Sequence, residues 1–166
     1  MKLLRFGEIG KEKPAALDTA GKIRDLSQHL LDFDPSTLNF EVLEKIKKIN
    51  LESLPEVPSS LRIGSCIAKP GKFLAVGLNY SDHAAETNAE IPKEPIIFNK
   101  AANCMVGPND NIILPKLSKK LDWEVEIAFV IGKNTKYITE KDAPNHIFGY
   151  CIVNDISERE WQIERG

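Results

Sequence analysis

Cysteine is scarce in this sequence: Cys66, Cys104 and Cys151 are the only thiols in 166 residues, and no two have C-x-x-C spacing. That excludes a disulfide framework and a thiolate zinc site, and it fits a reducing compartment. No sequence context activates any of the three for catalysis, so they read as semi-buried structural thiols. Long apolar runs are missing too. None approaches the roughly 20 residues needed to span a bilayer, and the opening MKLLRFGEIGKEK has no stretch long enough for a signal peptide. The expectation is a cytoplasmic protein with no membrane partner. A surplus of positive charge is also lacking. Lys plus Arg number 22 against 24 Asp plus Glu, a net charge of −2, which argues against a partner bound by neutralising nucleic-acid phosphates. The short basic clusters at residues 45–48 and 116–120 read as solvated faces. What remains is an ordinary balance, 42% apolar and 28% charged, in a length that suits one domain or one domain with a small appendage.

The pattern changes near residue 60. Residues 3–6, 14–17 and 22–26 read as short strands punctuated by Gly7, Gly10 and Gly21. Val42, Leu43, Ile46 and Ile49 then have helical spacing within residues 40–49. NLESLPEVPSSLRIG, with two prolines and three serines, reads as a linker lying extended over the surface. Beyond residue 70 the chain is short β-runs divided by Gly, Pro and Asn: 73–76, 95–98, 111–114, 123–131 and 147–153. A short helix is expected over 81–87, with Ser81 as its cap. Thr139 caps a helical turn over 140–143. The Ser157 and Glu160 spacing predicts a capping box, with a helix opening just after Asp155. The fold class expected is α+β and β-rich, with residues 1–60 a small N-terminal domain plus linker and 61–166 a second domain.

LDWEVEIAFVIG, residues 121–132, is the most informative stretch. In a strand, side chains two apart share a face, so Glu124 and Glu126 project together about 6.5–7 Å apart, with Trp123, Val125, Ile127 and Phe129 on the other side. Paired carboxylates repel, and burial raises the cost, so they call for a compensating cation; Mg²⁺, Mn²⁺ and Ca²⁺ prefer such oxygens. The alternative is a wet face on an edge strand. Asp155 ends the strand GYCIVND, where it is either a helix cap or a third carboxylate completing an open metal site. In GLNYSDHAAETN, His83 and Glu86 stand one helical turn apart. They are either a base with its orienting carboxylate or an exposed i,i+3 pair. Tyr80 could lie in the same mouth. Lys100, after PIIFN, is either exposed or an anion holder.

Four segments in order, KFLAVGLNYSDHAAE, EPIIFNKAANCMVGPNDNIILP, LDWEVEIAFVIG and GYCIVNDISEREWQ, resemble the fumarylacetoacetate hydrolase superfamily over roughly residues 60–166. The resemblance implies a β-roll-like core of mixed sheets, homodimers, and Mg²⁺ or Mn²⁺ held by Glu124, Glu126 and Asp155. It implies a water-orienting dyad in His83 and Glu86, a substrate-facing Lys100, and Arg159 and Gln162 as contacts to the substrate's carboxylate or oxo groups. Members continue through further core strands, so these 166 residues are expected to correspond to the N-terminal part of a longer bacterial-type protein. The implied activity is cleavage of a carbon–carbon bond in a β-diketo or 2-oxo acid, as in an acylpyruvate hydrolase. Relatives with the same site decarboxylate oxo acids, isomerise a dienedioate or cleave ureidoglycolate. The rival from another class is a non-catalytic β-rich binding module or inactive fragment.

Overall fold

The N-terminal third is built on an antiparallel sheet of β1 (Lys2–Phe6), β2 (Lys13–Leu17) and β3 (Ile23–Asp25), in the order β1-β2-β3. The computed structural model describes residues 1–165. The β2–β3 turn is fixed by Asp18, whose carboxylate accepts from the amides of Ala20 and Lys22 at 2.9 Å each, while Gly21 takes the positive φ that the turn needs. Helix α1 (Phe40–Lys47) is capped by Asn39, which accepts from the Val42 amide at 3.0 Å, and carries Glu41 near its start and Lys45 and Lys47 near its end. These elements close over Ala16, Leu26, Phe33, Leu38 and Ile46. The core does not stop at the N-terminal elements, because Ile67, Val130 and Phe148 pack against it and Phe148 tilts against Phe40 at 6.4 Å.

The expected linker is extended but not free. Val57 is buried and its amide donates to Ile23, the Asp25 amide donates to Pro55, and isolated bridges join Arg24 to Glu56 and Phe6 to Ile63. Residues 55–63 therefore add strand-like pairing to the small sheet. Beyond them, β4 (Leu74–Gly77) pairs with β5 (Ile96–Asn99), and the two flank the short helix α2 (Ser81–Glu86). The expected strand at 111–114 does not form: Ile112, Ile113 and Leu114 are exposed and lack a ladder partner among the described residues.

The expected strand over 123–131 is broken in two, β6 (Leu121–Asp122) and β7 (Val125–Ile131). Strand β8 (Ile147–Asn154) pairs antiparallel with β7, and β9 (Ser157–Glu158) pairs with β6. The break lies at Glu124. Burial on β7 runs opposite to the composition. Glu126, Ala128 and Val130 are half-buried toward the N-terminal core, while Val125, Ile127, Phe129, Tyr150 and Ile152 lie exposed on the outer face. No described residue covers that outer face.

Gly107 sits where backbone approaches backbone. A Cβ there would come to 2.1 Å of the Ile63 carbonyl oxygen, and the Gly107 amide is held by Asp110 at 2.6 Å. Gly107→Ala forces main chain rather than a flexible side chain to move. It is expected to cost about 1–3 kcal/mol, read as a lower midpoint in denaturant with an unchanged slope.

Candidate active site

The antiparallel register of β7 and β8 continues across the break. The Asp155 amide donates to the Glu124 carbonyl at 2.8 Å, and the Glu124 amide donates to the Asn154 side chain at 3.1 Å. Opposed residues in such a ladder share a face. Glu126 lies opposite Val153, Glu124 opposite Asp155 and Asp122 opposite Ser157. The alternation of Asp122, Glu124 and Glu126 thus meets Asp155 across the hairpin, and Glu124 and Asp155 stand together at the kink.

Two cations meet these carboxylates. Lys100, directly after β5, places Nζ 2.5 Å from Asp155 Oδ1. Arg159 places Nη1 2.9 Å from Glu124 Oε1, and its Nε donates to Asp122 at 2.9 Å. Its Nη1 also donates to Gln162 at 3.0 Å, which brings these two side chains together. Ser157 Oγ donates to Glu124 at 2.8 Å. The hydrogen bond from Arg159 holds the Asp122 carboxyl below the usual carboxylate range, against a smaller opposing effect of burial. Glu126 pairs with no cation among the described residues.

The expected capping box at Ser157 and Glu160 is not formed. Ser157 lies in β9 and gives its hydroxyl to Glu124, and the helical turn Glu160–Glu164 begins later, after Arg159. The ladder with β6 extends the chain through residues 157–158, and that pairing outcompetes a helix there. Ser81 is likewise inside α2; Tyr80 occupies the cap position without a capping side-chain bond.

His83 and Glu86 lie one turn apart on α2, both exposed, and no hydrogen bond joins them. Tyr80 is 40% exposed. Antiparallel pairing sets Lys100 beside Phe73 at one end of the β4–β5 hairpin, while the chain leaves for α2 from Gly77 at the other end, about 13 Å away. Among the described residues, no hydrogen bond or ion pair joins His83 or Glu86 to Glu124, Glu126 or Asp155. Sequence reasoning missed Asp122 and Ser157. The period-two run D-x-E-x-E carried the signal for Asp122, whereas Ser157 emerges only from the register.

Glu124, Glu126 and Asp155 are hard oxygen donors on or beside one half-buried face, and the chemistry of that set fits a divalent cation such as Mg²⁺ or Mn²⁺. Among the described residues, no three His, Cys, Asp or Glu side chains converge closely enough to enclose an ion. Lys100 and Arg159 instead supply the positive charge. Two shallow recesses of about 530 and 410 Å³ lie against the N-terminal sheet and α1 and contain none of these carboxylates. No helix among the described residues is long and apolar enough to cross a membrane.

A broken β-hairpin carrying opposed carboxylates, with a small N-terminal sheet, makes this a β-rich α+β chain. The chain belongs to the fumarylacetoacetate hydrolase family: the model of the fumarylacetoacetate (FAA) hydrolase C-terminal domain matches residues 72–166. A Burkholderia orbicola protein known only by the general name hydrolase is 51% identical over all 166 residues. The fumarylacetoacetate hydrolase of Exiguobacterium antarcticum superposes with a TM-score of 0.76 over 99% of this chain and 59% of its own, at 29% identity. Maleylpyruvate hydrolase from Sphingobium sp. SYK-6, solved with manganese(II) and pyruvate, shares the fold at a TM-score of 0.75 and 22% identity, covering 96% of this chain and 60% of its own. The chain spans 59% of the length of the curated relative it matches.

Proposed function

We propose that this chain supplies the ion- and substrate-anchoring part of an enzyme that hydrolyses a carbon–carbon bond in a β-diketo acid of the acylpyruvate class. The observation that carries the reading is the meeting of Glu124 and Asp155 across the kinked hairpin, each held by a cation suited to an anionic substrate. Manganese(II) and pyruvate in the Sphingobium neighbour support the choice of a divalent ion and an oxo acid. Glu124, Glu126 and Asp155 would hold Mg²⁺ or Mn²⁺. Such an ion polarises the oxo-acid oxygens and stabilises the negative charge that develops there. Lys100 and Arg159, which stand beside Asp155 and Glu124, would hold the substrate's carboxylate and oxo groups. His83, oriented by Glu86 once α2 closes over the substrate, would take a proton from water. The water oxygen bonds to the distal carbonyl carbon, the carbon–carbon bond breaks with its electrons going to the oxo-acid fragment, and the proton on His83 is returned to that fragment. The enzyme would work as a homodimer in the cytoplasm.

Turnover of acetylpyruvate, oxaloacetate and ureidoglycolate, with and without EDTA, tests this. Acetylpyruvate is expected to turn over fastest, and chelation is expected to lower the rate at least tenfold, with recovery on adding Mn²⁺. Activity intact in EDTA would end the divalent-ion reading. Oxaloacetate turning over faster than acetylpyruvate would replace hydrolysis with decarboxylation.

A further inference from the structure

Asp122, Glu124 and Glu126 alternate along the chain, and period two alone would make Asp122 a further ligand for the ion. Its bonds point elsewhere. Oδ1 accepts from the Trp123 amide at 3.0 Å, and Oδ2 takes Arg159 Nε at 2.9 Å. Both oxygens are engaged by the chain itself.

Register brings Asp122 and Arg159 together. The β6–β9 ladder sets Asp122 opposite Ser157, and the Arg159 amide extends it by donating to the Lys120 carbonyl at 2.9 Å. Asp122 and Arg159 are then diagonal neighbours, about 7–8 Å apart along the backbone, a span that a long side chain crosses. Arg159 crosses it with Nε on Asp122, and its Nη1 goes on to Glu124 Oε1 at 2.9 Å and to Gln162 at 3.0 Å. Nη2 makes no hydrogen bond among the described residues. Of the three anchors, Glu124 would be shared with the ion, and Gln162 is neutral and exposed. Asp122 is the charged anchor left to Arg159 alone. A charge-assisted bond of this kind is roughly twice as strong as a neutral one, and it fixes the plane of a guanidinium that otherwise turns on a flexible stem.

We propose that Asp122 is a positioning residue: it holds Arg159 by Nε so that Nη1 and Nη2 face the substrate's carboxylate, and it does not itself ligate the ion. That role rests on the function proposed for Arg159 as the holder of the carboxylate.

Asp122→Ala and Asp122→Asn, each made alone and with Arg159→Ala, test this. The Asp122 side chain is half-exposed, so its removal strands no buried charge and the variants should fold. Asp122→Ala should raise KM for acetylpyruvate about tenfold, the scale of one hydrogen bond to a charged group, with kcat changed less than about threefold. Asp122→Asn keeps an acceptor oxygen and should recover part of that loss. With Arg159→Ala present, neither change should raise KM further, because Asp122 then has nothing left to act on. Mn²⁺ affinity, read by calorimetry, should fall less than about tenfold, short of the loss of a carboxylate that touches the ion. An unchanged KM in Asp122→Ala, an equal rise with and without Arg159, or a larger loss of Mn²⁺ affinity would overturn the proposal. The bond itself is read without substrate, in magnetic resonance spectra of arginine-labelled protein. The Arg159 Nε–H signal, assigned by its absence from Arg159→Lys, should exchange slowly with water in the wild type and fast in Asp122→Ala. Arg5, Arg24 and Arg62 also place Nε on a carboxylate, and their signals should not change. If acetylpyruvate is not turned over at all, the acylpyruvate reading fails and this signal decides alone. Protection kept in Asp122→Ala overturns the positioning role; protection lost there upholds it for whatever anion the site takes.

Discussion

Glu126→Ala is expected to weaken Mn²⁺ binding by about 10²-fold or more and to lower turnover of an acylpyruvate by a similar factor, while leaving the ion-free protein as stable as the wild type or slightly more so. A carboxylate that touched the ion would matter at least as much as the groups that only orient its ligands, whose loss costs about 10–100-fold. The sign of the stability change follows from the charges. Glu124 and Asp155 already have Arg159 and Lys100, but Glu126 is half-buried with no cation of its own. Its neighbour two residues away carries the same charge, so without an ion Glu126 is repelled and partly desolvated. Alanine removes that penalty. The two effects separate in one experiment, thermal unfolding with and without Mn²⁺. The wild type should rise in Tm with the ion, because the ligand binds only the folded state, and the variant should not. Equal Mn²⁺ affinity in both proteins would show that this face is not the seat of the ion. In that case the acidic strand is an ion-paired surface.

How legible these features were depends on range. The small sheet, α1 and the β7–β8 hairpin follow from local pattern: the apolar run LLRF closed by Gly7, the apolar, Val- and Ile-bearing EIAFVI, and Asn39 before a helical repeat. The opposition of Glu124 and Asp155 depends on register, which period-two alternation constrains but does not state. Glu124 falls at a break in its strand because Asn154 takes its amide through a side chain, a detail invisible in the order of residues. Ser157 and Glu160 satisfied a capping pattern that lost to pairing with β6, a tertiary override of a local signal. The residues at 111–114 had strand composition without a partner to pair with among those described. The resemblance brought His83 and Glu86 to the site; α2 holds both exposed, with no hydrogen bond between them. The inward turn of the acidic face could not be read from hydropathy, which favours the opposite orientation. It follows from Val130 and Phe148 packing on the N-terminal core.

Arg5→Met is expected to destabilise the fold by about 3 kcal/mol, more than any substitution on the surface of the small sheet. Arg5 is 7% exposed and lies in β1, yet its partners come from three other segments. Its guanidinium meets Asp32 at 2.6 and 2.9 Å, Glu12 at 3.4 Å and the Ser65 carbonyl at 3.2 Å. Glu12 is shared: Arg62 bonds its other oxygen at 2.9 Å and meets Asp110 at 2.7 and 2.6 Å. Methionine keeps most of the volume but leaves Asp32 without this ion pair and Glu12 with Arg62 alone. Stranding a buried charge costs about 3–5 kcal/mol, and the lower end applies because Glu12 and Asp32 lie close beneath the surface. The acid limb of stability should change as well. Burial opposes ionisation of Glu12, but its amide bonds, Arg62 and the charge of Arg5 outweigh it and hold the carboxyl below its usual range; Arg62 does the same to Asp110. A carboxyl depressed in the folded state contributes stability above its unfolded pKa and loses it as pH falls through the folded value, here below the usual carboxylate range. Without Arg5, the folded value for Glu12 rises toward the unfolded one. Plots of Tm against pH should then show the wild type losing stability steeply below the usual carboxylate range and Arg5→Met, already lower at pH 7, losing less over the same span. Parallel curves for the two proteins would mean that the network does not hold Glu12 ionised. A variant as stable as the wild type at pH 7 would mean that water replaces Arg5 at little cost.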